Sequence, residues 1–557
     1  MASNTYEQSV GVTLKPQENH LDASPVYDLD HLGIVATLIR RFGIVDMIDQ
    51  RLPIDKKYGA KLTHGERVMA MILMGLGFTS TPLYLSNQFF LYVDIEKLLG
   101  PGITIEHLND DALGRTLDAL HDYGTTQLFS EIAIEIATNE ALIGRSLHLD
   151  TTTLSLHGEY HDMGSEAVAI PAFGHSKANR PDLKQMVMSL TTSGPSAIPL
   201  WFESLSGNSS DKSNFHDTIG AFKAFAKSIN VPDDFVWVAD SALYNSKKLK
   251  NANFKWLTRA PNQVKLVNNK LTQSIEETDW QILNNGYKAY PYSPEEYPEQ
   301  AWCMYFSQQT YQQALKTLNK KVRNALNTAQ VALNKLCRTK FACEKDAIKA
   351  MEVFDKGLLY HHVNFTVNEV KAKRTKRGRP KKNQSPIIEY QLTGTLVENE
   401  AKLAPRKEKL GRFVLVTNDL STHGKMPQSM LDTYKEQKAV ENCFGFLKSD
   451  QFQLDHVFLK KPERINGLMM IMALSVLTYN AGQYLLRKKL RESDLTLPNQ
   501  LGKEIQNPTL RWVFYMMRGT RVQHTPQNEQ LIIGINKVKY RIIQLFGEKA
   551  CEIYGIK

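Results

Sequence analysis

The stretch SLHLDTTTLSLHG, residues 146–158, decides the fold class that we predict for this chain. Within it, apolar residues alternate with small or polar ones at a two-residue step, which is the period of a β-strand. LKQMVMSLTTS (183–193) and SAIPLWFESLS (196–206) follow in the same manner, with Gly, Pro and Ser between them. The sequence therefore predicts three consecutive strands in a meander.

Downstream of the meander the pattern predicts a helix over 214–228 and then two further strands, FVWVAD (235–240) and FKWLTRA (254–260). After Asn262 this pattern is interrupted for about 150 residues. It resumes with the strand GRFVLVTN (411–418), which helices follow through 428–449 and 463–490. Strands of this kind alternating with helices indicate an α/β core that carries a large insertion.

Upstream of residue 146 the period is that of a helix. Apolar residues recur at three- and four-residue steps from about Leu29 to Asn139, and Gly43 supplies a stop. Thr63 and Glu66 have the spacing of a capping box at the start of a second helix. The first 140 or so residues are thus predicted to be all-helical, as a DNA-recognition module or as a bundle that only packs.

Composition limits the class of protein. The 557 residues suggest more than one folding unit, and 42% hydrophobic with 23% charged residues is ordinary globular usage. Lys and Arg exceed Asp and Glu by 68 to 58, a net charge of +10 that fits a polyanionic partner without requiring one. Five cysteines without a C-x-x-C pair argue against a disulfide framework or a zinc site, and favour a reducing cytosol.

Membrane insertion and secretion are not expected. The N-terminal residues lack a charged region followed by an apolar one. The best apolar run, Leu468–Tyr479, is shorter than the roughly 20 residues that span a bilayer.

Two aspartates are candidates for chemistry by position. Asp150 lies in the middle of the opening strand, where a carboxylate persists usually because a metal ion or hydrogen-bond donors partner it. Asp240 ends the buried strand FVWVAD, and α/β sheets present ligands at the carboxyl ends of strands. Taken singly, either could instead be a turn or cap residue.

A third carboxylate, Glu441, lies in the predicted helix DTYKEQKAVENCFGFLKSD (432–450). Tyr434, Gln437, Glu441 and Lys448 have offsets of 0, 3, 7 and 14 residues, so one stripe of a regular helix carries all four. An ordinary amphipathic surface helix is the alternative interpretation.

This stripe resembles the Y-x2-R-x3-E-x6-K signature of the DDE transposases of bacterial insertion sequences, in the insertion-sequence-four superfamily, with Gln437 in place of the arginine. GHSKANRPDLKQ (174–185) and GNSSDKSNF (207–215) are also similar to that group. The resemblance implies a ribonuclease H-like catalytic core. Its three catalytic, metal-binding carboxylates would be Asp150, Asp240 and Glu441 in this chain.

Further expectations follow from the resemblance. Two Mg²⁺ ions, with Mn²⁺ as a substitute, would activate the attacking water or 3′-hydroxyl and stabilise the departing oxyanion. Tyr434 and Lys448 would hold the DNA backbone, and Gln437 could bond a phosphate oxygen without adding charge. The partners would be inverted-repeat ends and target DNA, bound by a homodimer in the nucleoid-associated cytoplasm. A metal-dependent nuclease without strand transfer and a catalytically inactive DNA-binding protein are the alternatives.

Basic segments mark the insertion. No Asp or Glu occurs between Gln300 and Glu344, where a long helix with a three- and four-residue apolar spacing carries several Lys and Arg. KAKRTKRGRPKK (371–382) centres on Arg377-Gly378-Arg379-Pro380, which resembles an AT-hook core that lays both arginines in a minor groove. A solvated basic loop is the alternative.

These patterns divide the chain into five predicted regions. They are a helical N-terminal domain for end recognition (1–140), the first part of the core (141–262), the insertion (263–410), the second part of the core with the Glu helix (411–490), and a C-terminal region (491–557).

Overall fold

The structure is a computed structural model with a mixed α/β architecture. It describes residues 25–54, 60–78, 85–158, 160, 169–176, 180–209, 211–232, 234–244, 246–372, 387–421, 426–448, 459–525 and 529–556.

The N-terminal region is helical, as predicted, after one short strand. Thr63 and Glu66 form the predicted capping box, since the Glu66 N–H donates to Thr63 Oγ1 (3.1 Å) and the Thr63 N–H donates to Glu66 Oε2 (2.7 Å). Gly43, with φ of 66°, separates the first two helices. The elements are β1 (Val26–Asp28), α1 (Leu32–Arg41), α2 (Ile44–Arg51), α3 (His64–Leu76), α4 (Ser86–Phe90), α5 (Ile95–Leu99), α6 (Asp110–Tyr123) and α7 (Thr125–Asn139).

The predicted meander and the strands after it form the first half of the main sheet. The three meander strands pair antiparallel, and the next two strands run parallel on the other side of the first. The order in space is therefore third, second, first, fourth, fifth. The elements are β2 (Ser146–Ser155), β3 (Gln185–Gly194), β4 (Ile198–Ser206), α8 (Asp211–Ser228), β5 (Val236–Ala239), α9 (Ser246–Lys250) and β6 (Lys255–Arg259).

Residues 263–307 do not belong to a separate insertion, so the predicted boundary at 263 was wrong. Their strands join the main sheet instead, with β8 pairing β9 and β7 pairing β8. The elements are α10 (Lys265–Thr272), β7 (Gln281–Ile282), β8 (Tyr287–Tyr292) and β9 (Ala301–Ser307).

The insertion proper begins with the long helix that the apolar spacing predicted. A small antiparallel sheet packs against this helix through Leu333 and Leu392, which are fully buried in one apolar cluster. The elements are α11 (Gln308–Cys337), β10 (Lys340–Phe341), α12 (Glu344–Lys356), β11 (His361–Lys371), β12 (Ile388–Glu398) and α13 (Glu400–Glu408).

The chain then returns to the main sheet. β13 (Arg412–Thr417) inserts between β6 and β9, and the described strands complete a sheet in the order β4-β3-β2-β5-β6-β13-β9-β8-β7. Three helices follow: α14 (Pro427–Lys435), α15 (Lys438–Leu447) and α16 (Pro462–Glu492).

Helix α16 is the central helix of the molecule. Among the described residues it is the one helix long and apolar enough to cross a membrane, but 83% of its most apolar stretch is buried inside the protein. It packs against β4 and against α3, α6 and α7 of the N-terminal region. A helix that is apolar on every side is expected at such a position.

The C-terminal region completes the N-terminal helical unit. β1 pairs with β16, and the Tyr554 hydroxyl donates to the Asp30 carbonyl (2.6 Å). The elements are β14 (Leu497–Pro498), β15 (Glu504–Ile505), α17 (Leu510–Met516), β16 (Arg521–His524), β17 (Gln530–Ile533), α18 (Lys537–Phe546) and α19 (Glu548–Ile553).

Candidate active site

The two predicted aspartates lie at neighbouring positions of adjacent parallel strands. The register pairs Leu149 of β2 with Ala239 of β5, and the next residue on each strand is an aspartate. Asp150 is half-buried and accepts the Thr151 N–H (2.8 Å). Asp240 is exposed and accepts the Ala242 N–H (2.8 Å). Neighbouring strands are about 4.8 Å apart, so the sheet brings these carboxylates together although 90 positions separate them in sequence.

An arginine extends this row onto the third parallel strand. Ala239 of β5 pairs with Thr258 of β6, so Arg259 stands beside Asp240. Its guanidinium lies 5.5 Å from the centre of the Phe413 ring, and the Thr258 hydroxyl donates to the Asp240 carbonyl (2.7 Å). One edge of the sheet therefore presents two carboxylates and a cation.

The helix expected to carry the four-residue stripe consists of two segments, α14 and α15. Between them the backbone tightens, because the Gln437 N–H bonds the Tyr434 carbonyl (3.1 Å) and the Ala439 N–H bonds the Glu436 carbonyl (2.8 Å), both three residues back. The prediction of one regular helix was wrong at this turn. Glu441 lies in the first turn of α15, and Lys448 ends that helix.

The pKa of the Tyr434 hydroxyl depends on its burial and on the charges around it. Burial raises the pKa of its hydroxyl, the nearby carboxylates of Asp240 and Glu441 raise it further, and Arg259 opposes them. The charges of Asp240, Glu441 and Arg259 therefore all act on this hydroxyl. Helix α14, which carries Tyr434, packs against β5 and β6, and helix α15, which carries Glu441, packs against β2 and β3.

Gln437 faces the interior. It is 6% exposed, its amide nitrogen donates to the Leu149 carbonyl (3.1 Å), and its amide oxygen lies 3.2 Å from His148 Nδ1. With the amide oriented in this way, Nδ1 carries the hydrogen of that bond. This placement gives no support to the phosphate contact expected for Gln437. Instead the side chain fixes α15 to β2 directly beside Asp150.

A buried polar cluster surrounds that contact, and we call Ser146, His148, Glu436 and Gln437 the junction network. The Ser146 hydroxyl donates to Glu436 Oε2 (2.8 Å), and His148 Nε2 lies 3.0 Å from Ser146 Oγ and 3.3 Å from the same carboxylate oxygen. His148 is fully buried. A Cβ on Gly194 of β3 would collide with Glu436 and approach Ser146 Oγ to 2.6 Å, so a larger residue there would displace members of the network.

The other expected residues are Lys448, Arg377 and Arg379. Lys448 is exposed at the end of α15. Arg377 and Arg379 lie outside the described residues. Among the described part of the chain, no three His, Cys, Asp or Glu side chains are grouped closely enough to hold a metal ion. Asp150, Asp240 and Glu441 offer the hard oxygen donors that suit Mg²⁺, but in this structure they do not form such a group.

Sequence reasoning missed Arg259, His148 and Glu436. Arg259 is a charged residue at the end of a buried strand, which was the same signal that drew attention to Asp240. His148 also stands in the strand pattern, two residues before Asp150. Glu436 carries no such signal, because it reads as a polar position of an amphipathic helix.

Comparisons with known proteins are limited to part of the chain or are distant. Residues 24–134 match the family model "Domain of unknown function (DUF4277)", a match that ends before β2. A search of curated proteins finds no significant match. A solved structure described as a cryo-EM structure of a piggyBac transposase synaptic complex with hairpin DNA is similar at a TM-score of 0.35 and 8% identity, over 87% of this chain and 80% of that one.

Proposed function

We propose that this protein is a DDE-type DNA transposase that cuts the ends of its insertion sequence and joins them to target DNA. One observation carries the proposal: Asp150 and Asp240 stand on adjacent parallel strands, and Glu441 begins a helix that Gln437 fixes to the strand of Asp150. Two carboxylates thus follow paired positions of neighbouring strands, and the third lies on a helix that is bonded to the first of those strands.

The strand order supports a ribonuclease H-like core for this proposal. An antiparallel meander followed by two parallel strands beside its first strand is the arrangement in which the opening strand and the fourth strand are neighbours. Those are the strands that the sequence resemblance assigns to the first and second aspartates. The insertion, α11 to α13, leaves the sheet after β9 and returns at β13, between the second aspartate and the glutamate.

In this proposal Asp150, Asp240 and Glu441 would hold two Mg²⁺ ions. Bound there, the ions would activate the attacking hydroxyl and stabilise the leaving oxygen of a phosphodiester. The chain's own residues supply the remaining functions. Arg259 and Lys448 attract the DNA backbone, and the Tyr434 hydroxyl donates to a phosphate oxygen.

The junction network acts as a positioning device in this scheme. Gln437 bonds the backbone carbonyl next to Asp150 and stands one helical turn before Glu441. Any shift of α15 relative to β2 would break that bond and separate the carboxylates.

A metal-dependent nuclease on the same core is the second candidate, since the same edge would support cleavage without strand transfer. The helical N-terminal unit would recognise the ends of the element, and assembly of two copies on DNA would hold both ends. A DNA-binding protein without catalysis would leave the row of carboxylates without a use.

The test is cleavage and joining of duplexes that carry the DNA flanking the gene, with Mg²⁺, with Mn²⁺ and with chelator. Asp150→Asn, Asp240→Asn and Glu441→Gln should each lower cleavage by about a thousandfold, because a metal contributes several kcal/mol to the transition state. Asp234→Asn is the matched control, an exposed carboxylate at the other end of β5.

Joined products from wild-type protein support a transposase, and cleavage without joining supports the nuclease. Full cleavage by any one of the three variants would remove that residue from the proposed site. Binding without cleavage under every metal condition would leave only a DNA-binding protein.

A further inference from the structure

A buried arginine in the N-terminal helical unit has a side-chain nitrogen without a hydrogen-bond partner among the described residues. Arg67 of α3 is 8% exposed, and its Nε is buried without a hydrogen bond. Within the described ranges of the chain, the Arg67 guanidinium forms neither a hydrogen bond nor an ion pair. Burying an unpaired charge is strongly unfavourable, so such a group persists where something outside the chain can pair with it.

A second arginine faces the same space. Arg115 of α6 and Arg67 line a cleft of about 650 Å³, together with Lys61 and His64, and we call it the arginine cleft. Burial lowers the pKa of Arg67, the charge of Arg115 lowers it further, and the neighbouring Glu66 carboxylate opposes both effects. Burial and the charge of Arg67 also lower the pKa of His64 to about 4, which leaves that imidazole neutral at pH 7.

Carboxylates at the rim do not neutralise the pair. Asp118 is held by Arg464 of α16 through two hydrogen bonds, of 2.9 and 2.8 Å. Glu106 accepts from the Thr104 hydroxyl, and Asp122 is exposed. Across the described portion of the chain, no carboxylate lies within ion-pair distance of Arg67 or Arg115.

We propose that the arginine cleft binds a phosphate group, and that the phosphate is one of the DNA backbone. Two guanidinium groups that line one cleft suit the oxygens of a phosphate, which can accept paired hydrogen bonds from each. The cleft lies within residues 54–122, in the helical unit proposed for end recognition. The DNA source rests on the proposed function, whereas the anion site itself does not.

The first experiment tests only whether the arginine cleft binds an anion, with inorganic phosphate as the probe. Thermal unfolding of the full chain is measured in phosphate and in chloride at equal ionic strength and pH. We expect phosphate to raise the midpoint by about 2 °C in a saturable manner. Arg67→Met and Arg115→Gln should abolish the rise. Arg41→Gln should retain it, because it removes the same charge from α1, where Glu140 already pairs with Arg41 (2.7 Å).

The second experiment tests whether the bound phosphate belongs to DNA. The same proteins are titrated with duplex DNA over a range of salt concentrations. If a backbone phosphate occupies the cleft, Arg67→Met should weaken binding and reduce the slope of log K against log salt by about one. Loss of phosphate stabilisation with unchanged DNA binding would overturn the DNA source. Absence of any phosphate effect in the wild type would overturn the site.

These outcomes are separate from the proposed function. Cleavage that depends on Asp150 and Asp240 can hold while the arginine cleft fails, and phosphate can bind the cleft in a protein that never cuts DNA.

Discussion

The junction network and the arginine cleft are two buried polar clusters that differ in whether their polar groups have partners. In the first, a buried histidine, a serine, a glutamine and a carboxylate use one another, with three contacts between 2.8 and 3.2 Å. In the second, a buried guanidinium has no partner within the described part of the chain and stands beside another positive charge.

The comparison indicates two different roles for buried polar groups, one structural and one in binding a ligand. A cluster whose members are all partnered fixes the relative position of the elements that carry them, here β2 and the turn between α14 and α15. A cluster whose charge is unpaired keeps a cost that a ligand can remove. The first kind should therefore resist change in every condition, and the second should depend on what is dissolved around it.

The largest effect is expected for Gly194→Ala. The added methyl group would collide with Glu436 and come within 2.8 Å of His148 Nε2, so the junction network must move. Overpacking costs about 1–3 kcal/mol, and we expect the free energy of unfolding to fall by an amount near the upper end of that range, because three side chains of the network must shift. Urea unfolding followed by circular dichroism measures this. Gly220→Ala, where a Cβ meets nothing within 4 Å, is the control, and equal stability of the two variants would contradict the network.

The second prediction compares one substitution in each cluster, and the two changes in the free energy of unfolding should not have the same sign. Glu436→Ala leaves His148 and Ser146 without their carboxylate and should cost about 2 kcal/mol, a value reduced because the Glu436 side chain is 32% exposed. In buffer free of phosphate and sulfate, Arg67→Met should hold or raise the free energy of unfolding, because it removes an unpaired buried charge. Parallel urea titrations measure both. A loss of similar size in Arg67→Met would mean that the guanidinium is already stabilised by the protein.

The sequence predicted the fold well where the signal is local. The two-residue period predicted β2, β3 and β4, and the apolar spacing predicted the long helix α11. The boundary of the insertion failed because β8 and β9 join the main sheet only through pairing with β13, more than 100 residues further along the chain. Non-local pairing of this kind leaves no trace in the period of a segment.

The candidate site shows the same division. Asp150 and Asp240 were found because a carboxylate in or after a buried strand violates a local pattern. The junction network could not be found, since Gln437 meets Leu149 across 288 positions and looks from the sequence like one member of an exposed stripe. The tightened turn at residues 436–437 removes the regular 3.6-residue spacing on which that stripe was based.

The smallest effect is a pH dependence at the rim of the arginine cleft, where one charge does have a partner. The hydrogen bonds from Arg464 hold the pKa of Asp118 below its ordinary value of 3.8, against the opposing effect of burial. A carboxylate whose pKa is lower in the folded state than in the unfolded state stabilises the fold. This stabilisation is fully present when the pH is above the unfolded-state pKa, and it is lost as the pH falls through the folded-state pKa. Asp118 is 35% exposed, so solvent screens the pair and its contribution should be at most about 1 kcal/mol.

Asp118→Asn should therefore be less stable than wild type at pH 7, and the difference should shrink as the pH is lowered below 3.8. Urea unfolding of both proteins at the two pH values measures it, with Asp182→Asn as an exposed control whose arginine partner, Arg180, lies only two residues away. A difference that persists unchanged at low pH would assign the loss to packing against Arg464, and the pair would then resemble the junction network in acting through shape as well as charge.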